Sequence, residues 1–568
     1  MVKSIWVADF ETWTEADYRL YGEVRVYLWH ARELYTGYEA QGYSVETFLM
    51  WASHKPTEIW FHNIKYDGNY ILSAILRMGW TYSEKQEKNR QHYRHIVTDT
   101  GQWMELVLMY GKHVVRIRDS AKKFPGFSLE EIAKVYRIKG KSHLDVDKVR
   151  GPEYRATDED VARVQGDTRI LCTAMEDLLS HGMTKLTMAS DAKAFYLQMY
   201  EKSHGAKWKR EYQHDFPKLS PEDDEFIRSA YKGGYVYVNP THKGQRVFDV
   251  TVLDVNSMFP WAMRYMDLPF GRPMYRKKPL SGDMYIVRFE AVFHLKPGKV
   301  PTVQLKGSYR YVQAEYLTDS DEFVELSMTN LDYEVFRDHY ETIEQNHRYV
   351  CFHHRKGDYT KYIDHWMAKK EEAVKAHDSA GKATAKRFLN SLYGKRGENI
   401  YRKGKMSYID EDEVVRWETI ETESEGDYLP HAVFITAWAR WNIWRTIDKV
   451  GLDDFVYCDT DSVHMIHGEK HLDDIDIHPS RLGAWKVEST SRMGVYLCPK
   501  KYLHLFETND KGEKQTMTVT CAGMPRGCKE NVRWWNWRLG AVYEGKLMGK
   551  TVKGGYCLIS TTMKLRVV

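Results

Sequence analysis

An apolar run, Phe455-Val456-Tyr457-Cys458, leads straight into two carboxylates set two residues apart, Asp459 and Asp461. On a strand, or across the tip of a tight hairpin, residues i and i+2 project to one side. Two like charges held that close repel by about 4 kcal/mol at an effective dielectric of roughly 20. A fold that keeps them together beside an apolar stretch therefore calls for a cation between them. Divalent magnesium fits, because it takes carboxylate and phosphate oxygens into one shell. The alternative for this stretch alone is an acidic hairpin tip in solvent. Leu253-Asp254-Val255-Asn256-Ser257-Met258-Phe259-Pro260 places a third acid on another apolar strand, ending at a proline. Asp254 either completes a two-metal centre with Asp459 and Asp461 or caps a following helix.

The first third repeats the pattern. Ile5-Trp6-Val7-Ala8-Asp9-Phe10-Glu11-Thr12 reads as a strand with Asp9 and Glu11 on one face. In Ile59 to Gly68 an apolar strand meets a polar turn carrying Asn63 and Asp67, and Asp167 lies on an amphipathic helical stretch, Val164 to Leu171. These four carboxylates make the ligand set with which two metal ions generate hydroxide and stabilise a leaving oxygen. Singly, each is as well explained as a cap or a surface acid.

A helix is expected over Ser379 to Tyr393, stopped by Gly394. Lys382, Lys386 and Asn390 recur every four residues, and Tyr393 falls on the same face. Two ammonium groups there can grip a triphosphate while the ring meets a base. The alternative is a solvated lysine face, but Phe388, Leu389 and Leu392 give this helix a separate core side.

A chain of 568 residues exceeds a single core, so several domains are expected. A net charge of +4 excludes a uniformly basic surface. Basic clusters remain at Lys112 to Lys123, Lys207 to Arg210, Lys395 to Lys405 and Arg526 to Lys553. Spread along a chain with acidic centres, they suit a polyanion held in a groove. Seven dispersed cysteines without a Cys-x-x-Cys pair point to a reducing compartment and away from a zinc module. The N-terminus enters a strand pattern directly, and no apolar run reaches membrane-span length. A soluble, cytoplasmic protein is the expectation.

In order, these segments resemble the motifs of family B DNA polymerases, specifically the protein-primed bacteriophage branch. Asp254 to Pro260, Lys386 to Gly394 and Tyr457 to Ser462 look like polymerase motifs A, B and C. Asp9 with Glu11, Asn63 with Asp67, and Asp167 fit the three motifs of a 3′–5′ exonuclease, and Lys141-Ser142-His143-Leu144 looks like the additional lysine motif of that branch. Tyr231-Lys232-Gly233-Gly234-Tyr235 resembles the linker between the two activities. Thr436-Ala437-Trp438-Ala439-Arg440 and Lys500-Lys501-Tyr502 resemble primer-contacting motifs.

The resemblance implies an α/β (α+β), multi-domain chain. A ribonuclease H-like exonuclease domain would span 1–187, followed by a right-hand polymerase. Its palm would span 188–261 and 426–525, its fingers 358–395 and its thumb 526–568. Insertions at 262–357 and 396–425 would seat a priming protein and close a ring around the template for processivity and strand displacement. Tyr401 to Tyr408 and Glu413 to Ile420 read as a hairpin within the second insertion. Asp254, Asp461 and the Val255 carbonyl would hold the synthetic metals with support from Asp459. Asp9, Glu11, Asp67 and Asp167 would hold the editing metals beside Lys141. Lys370, Lys382 and Lys386 would bind the incoming triphosphate, with Val255, Phe259, Asn390 and Tyr393 around the nucleotide. Thr12, His62, Asn63, Tyr66 and Ser120 would touch the single-stranded 3′ end. Tyr231, Gly233, Gly234, Thr436, Arg440, Lys500 and Tyr502 would contact the primer-template.

Two magnesium ions per site, replaceable by manganese, and a monomer acting with primer-template DNA, deoxynucleoside triphosphates and a terminal priming protein complete the implied picture. Two positions depart from the family: Arg163 stands where a tyrosine usually orients the attacking water, and Phe259 where a tyrosine usually abuts the sugar. Phe259 keeps the bulk that excludes a 2′-hydroxyl. Gly545 to Thr551 mimics a phosphate loop one residue short and is expected to be part of the thumb. The rival readings are an exonuclease with an inactive polymerase half and a non-catalytic DNA-binding scaffold.

Overall fold

The computed structural model describes residues 4–54, 56–84, 91–140, 145, 147–304, 316–423, 426–506 and 516–567. Two large sheets organise it. The N-terminal sheet has eight strands, with Ile5–Thr12 in its interior. That strand pairs antiparallel with Val26–Glu33 and parallel with Glu58–Phe61, which in turn runs parallel to His113–Asp119. Parallel pairing requires crossovers that cover the faces. The helix Asp158–Ser180 covers one, packing on Ile5–Thr12 and Val26–Glu33 through a side that includes Val164, Asp167, Leu171 and Met175. Its start is fixed by a capping box between Thr157 and Asp160.

The central sheet has seven strands, all antiparallel to their neighbours. Arg246–Val255 lies between Ser462–Met465 and Trp485–Cys498. The helix Leu429–Val450 buries Ala439, Ile443, Trp444 and Ile447 in the same core as Leu253, Val255, Phe455 and Val463. Beyond the sheet, helices Thr360–Lys375 and Ser379–Arg396 pack on each other and on Met188–His204. Trp366 and Phe388 stack at 3.9 Å between the first two. The second helix runs through Gly394, where a stop was expected. Arg396 anchors its last turn: the buried guanidinium donates to the hydroxyls of Tyr359 (3.0 Å) and Tyr212 (2.6 Å) and to Asp427 (2.7 Å). Tertiary hydrogen bonds outweigh the weak helix preference of one glycine, about 1 kcal/mol.

Residues 268–355 contribute a four-stranded antiparallel sheet. Tyr401–Ile409 and Val415–Glu423 form the expected hairpin. It is stitched to the N-terminal sheet where the Ser407 hydroxyl meets the Tyr93 hydroxyl and His95 Nε2, with the Trp417 ring against His95 and Trp103. Gly545 to Thr551 lies inside the strand Val542–Val552 of a C-terminal hairpin, so it is not a phosphate loop. Tyr70 donates to the Tyr556 carbonyl of that hairpin (2.6 Å), and the hairpin's Lys553 reaches Glu413 at the tip of the other (2.7 Å).

Candidate active sites

The first acid centre forms at one end of the central sheet. Asp254 pairs in register with Ser462, and the Val255 N–H donates to the Asp461 carbonyl at 2.8 Å. Phe455–Asp459 and Ser462–Met465 are joined by the tight turn Thr460-Asp461, with Thr460 at φ 59°. This joint brings Asp254, Asp459 and Asp461 into one electrostatic field. Burial, then the carboxylates of Asp254 and Asp459, push Asp461 up to about 6. The turn leaves no room beside it. A Cβ on Gly234 would stand 2.5 Å from Thr460 Oγ1, and the Thr460 N–H donates to the Tyr235 carbonyl (2.8 Å).

Two lysines meet this centre from its own sheet. Lys500 Nζ contacts both Asp459 oxygens at 2.7 and 2.8 Å, and its N–H donates to the Tyr457 hydroxyl, which itself donates to Asp459 (3.2 Å). Lys486, opposite Asp254 in the strand pairing, places Nζ 2.9 Å from Asp254 Oδ1. Glu488 is drawn in as well: partial burial and the Asp254 charge raise its pKa. Above the centre, Lys382, Lys386 and Asn390 are exposed on one face of their helix. Burial and the charges of Lys386, Lys382 and Lys486 depress the Lys370 pKa. Tyr393 lies against Phe259, ring centres 4.1 Å apart, and burial pushes its hydroxyl up to about 12.

The second centre lies on the N-terminal sheet. Ligand oxygens of Asp9, Glu11 and Asp167 come within 4.8 Å of one another. Asp67, in the first turn of Lys65–Arg77, lines a cleft of about 940 Å³ together with Asp9, Glu11, Thr12, His62, Asn63 and Tyr66. Asn63 adopts φ 63°, and Asp119 supports that turn by accepting from the Asn63 and Ala121 N–H groups. The donors at both centres are carboxylate oxygens, the set hard divalent cations take. Arg163 is buried beside Glu11, donating to its two oxygens at 2.8 and 2.7 Å, to the Tyr27 hydroxyl (3.1 Å) and to Asp160 (3.2 Å). Burial alone would raise the Asp160 pKa; hydrogen bonds from Tyr154 and Thr157 and the Arg163 charge bring it down to about 2.

Residues 170–478 match the family "DNA polymerase type B, organellar and viral". The chain is 31% identical over 598 aligned positions to the DNA polymerase of Bacillus phage B103, with both chains fully covered, and 31% identical to that of Streptococcus phage Cp-1, covering 89% of this chain and 87% of the other. A structure of phi29 DNA polymerase complexed with primer-template DNA and incoming nucleotides superposes with a TM-score of 0.89 at 30% identity, covering 99% of this chain and 100% of that one. The chain is a type B DNA polymerase.

Among the residues of the polymerase expected at DNA, Thr12, Ser120, Thr436 and Arg440 are buried. Arg440 is 3% exposed and spends its donors inside the protein, on both Asp332 oxygens (2.9 and 2.8 Å) and on the carbonyls of Lys232 and Gly233. It ties the helix Leu429–Val450 to the linker and to the four-stranded region instead of facing a primer. Thr436 is buried, its hydroxyl bonded to the carbonyls of Ala432 and Val433. Ser120 is buried against His62 Nδ1 (3.0 Å), whose Nε2 meets the Phe127 carbonyl (2.9 Å); Ser120 therefore supports His62 from behind. Gly234 is packed against Thr460, whereas Gly233 is exposed and its carbonyl accepts from Arg440 (2.8 Å). Tyr231 is half-buried against the helix end, where a Cβ on Gly397 would meet its hydroxyl at 2.5 Å. Tyr502 stacks among Tyr457, Tyr496 and His504. The Thr12 and Tyr66 hydroxyls bond each other. Lys141 falls outside the described residues. Sequence reasoning missed Lys486, Glu488, Asp119 and Asp332; only the Lys486-x-Glu488 pairing of charges near an apolar strand carried any local signal.

Proposed function

We propose that this polymerase extends primers at the Asp254–Asp461 centre, edits them 3′–5′ at the Asp9–Glu11–Asp67–Asp167 centre, starts from a priming protein and displaces the strand ahead of it. One observation carries the synthetic half. Strands distant in sequence deliver Asp254 and Asp461 to one sheet end, beneath an exposed lysine face. A scaffold that merely bound DNA would gain nothing from clustered carboxylates, which repel phosphate.

In this reading residues 1–187 edit, the central sheet is the palm, 358–395 are the fingers and 526–568 the thumb. Magnesium fits both oxygen sets, with manganese as substitute; bound there, it lowers the pKa of the attacking hydroxyl or water and stabilises the leaving oxygen. Asp254, Asp461 and the Val255 carbonyl would hold it in one centre, and Asp9, Glu11, Asp67 and Asp167 in the other. Lys370, Lys382 and Lys386 receive the triphosphate, and Asn390, Tyr393 and Phe259 enclose the nascent pair. Rate then comes from positioning and charge neutralisation. His62, Asn63 and Tyr66 steer a single-stranded 3′ end into the editing cleft. The polymerase–DNA–nucleotide structure of the phi29 relative supports primer-template and nucleotides as partners.

The insertion at 396–425 is read as the ring-closing element. In support, its hairpin is fastened to the N-terminal sheet and meets the C-terminal hairpin at Glu413–Lys553. The four-stranded region within 262–357 is left to seat the priming protein. Among the described residues no helix is long and apolar enough to cross a membrane, and all seven cysteines are free and buried; both suit action in a reducing host cytoplasm. A labelled primer-template with magnesium tests the reading. Added deoxynucleotides should lengthen the primer, and their omission should shorten it from the 3′ end. Degradation without extension would leave an exonuclease with an inactive polymerase half, and neither would leave a scaffold.

A further inference from the structure

Four lysines from two parts of the chain share one electrostatic field, and one of them touches Asp254. Lys370, Lys382 and Lys386 descend from the helix pair Thr360–Lys375 and Ser379–Arg396. Lys486 rises from the sheet floor, directly across from Asp254 in the pairing of Arg246–Val255 with Trp485–Cys498. Lys370 senses the charges of the other three. Like charges that share one field repel one another, and an anion bound among them offsets that repulsion.

Lys486 is tied to this place loosely. Its ammonium pairs with Asp254 Oδ1 at 2.9 Å, and its side chain is 35% exposed. A partly exposed pair of this kind adds little to folding. Lysine is also a compact point charge on a flexible four-carbon stem, so the head can move without disturbing the strand that carries it. Glu488 lies within the field of Asp254, Lys486 and Lys386, so the floor and the helix face already form one electrostatic unit.

We propose that Lys486 is a two-position residue of the synthetic site. Without nucleotide it sits on Asp254; when a deoxynucleoside triphosphate arrives, its ammonium turns to the phosphates and leaves Asp254 to the divalent ion. This rests on the polymerase reading and deepens it. Metal and nucleotide binding become coupled through one side chain, and the coupling is reciprocal.

The test uses full-length protein carrying Asp9→Ala, which removes an editing-centre ligand and simplifies the metal count. Manganese binding without nucleotide is followed by EPR. Binding of a deoxynucleoside triphosphate to the enzyme–primer-template complex is followed with calcium in place of magnesium. Lys486→Gln should bind manganese several-fold more tightly, because a competitor for Asp254 is gone. It should bind nucleotide about tenfold more weakly, the loss of one charge-assisted contact. Lys486→Arg should keep nucleotide binding within a few-fold of the parent, and thermal melting checks that each variant is folded. Unchanged nucleotide affinity in Lys486→Gln would overturn the proposal and reduce Lys486 to an ion pair. Weaker nucleotide binding with unchanged manganese affinity would also overturn it, since the residue would then never occupy Asp254. A parent enzyme unable to extend a primer with magnesium would instead sink the polymerase reading, a distinct failure.

Discussion

The two acid centres solve the same electrostatic problem with different cations. At the Asp254–Asp461 centre the cations are lysines: Lys500 on Asp459, and Lys486, a partly exposed point charge 2.9 Å from Asp254 Oδ1. At the editing centre the cation is Arg163, 5% exposed, forked across Glu11 and braced by Tyr27 and Asp160. Asp160 is in turn held by Tyr27, Tyr154 and Thr157. A guanidinium held bidentately in a buried network is part of the fold. An ammonium on a flexible stem at the rim is free to change partners. A centre that admits a new charged substrate at every turnover benefits from the second arrangement. On the proposed assignment the other centre edits, and acids held in fixed positions suit the first arrangement.

The contrast can be broken at its base by removing a metal ligand. Asp254→Ala should lower primer extension by about 10³-fold or more, the loss of several kcal/mol of charge stabilisation, while degradation persists. If extension survives, the carboxylate is not part of the centre and the comparison loses one side. The fixed-versus-movable distinction is sharpened by truncating each cation. Arg163→Ala should cost about 3–5 kcal/mol in urea unfolding because buried Glu11 and Asp160 lose the guanidinium charge that faces them. Lys486→Ala should change stability by no more than about 1 kcal/mol. Equal costs would erase the difference.

Next is the turn that carries Asp461. Gly234→Ala forces a Cβ to 2.5 Å from Thr460 Oγ1. A shift of the turn by about 1 Å should reduce kcat for extension by about 10²-fold with the editing rate unchanged. Smallest is the contact between the two hairpins. Lys553→Ala removes an exposed pair with Glu413 and should leave the melting temperature and the product length on primed circles nearly unchanged. A sharp drop in product length would make that pair a clasp and not an incidental contact.

What could be read in the chain beforehand was what short periods encode. The period-2 strand pattern put Asp9 with Glu11, and the i, i+4, i+8 spacing put Lys382, Lys386 and Asn390 on one helix face; both arrangements are present. The hairpin at 401–423 was legible from two strand-like runs around an acidic turn. What escaped depends on register between distant segments. Nothing near Arg440 announces Asp332, and nothing near Lys486 announces Asp254. Gly394 looked like a helix stop because its neighbour Arg396 finds Tyr212, Tyr359 and Asp427 only after the chain has folded. Gly234 belongs to a recognisable linker motif, yet its need for a missing side chain comes from Thr460, far along the sequence.

The most direct measurement follows one 5′-labelled primer on one template with magnesium, comparing the parent enzyme, Asp461→Ala and Asp67→Ala. Asp461→Ala should still shorten the primer but not lengthen it, and Asp67→Ala should lengthen it but not shorten it. Loss of both activities in either variant, or of neither, would contradict two separate acid centres built from these residues.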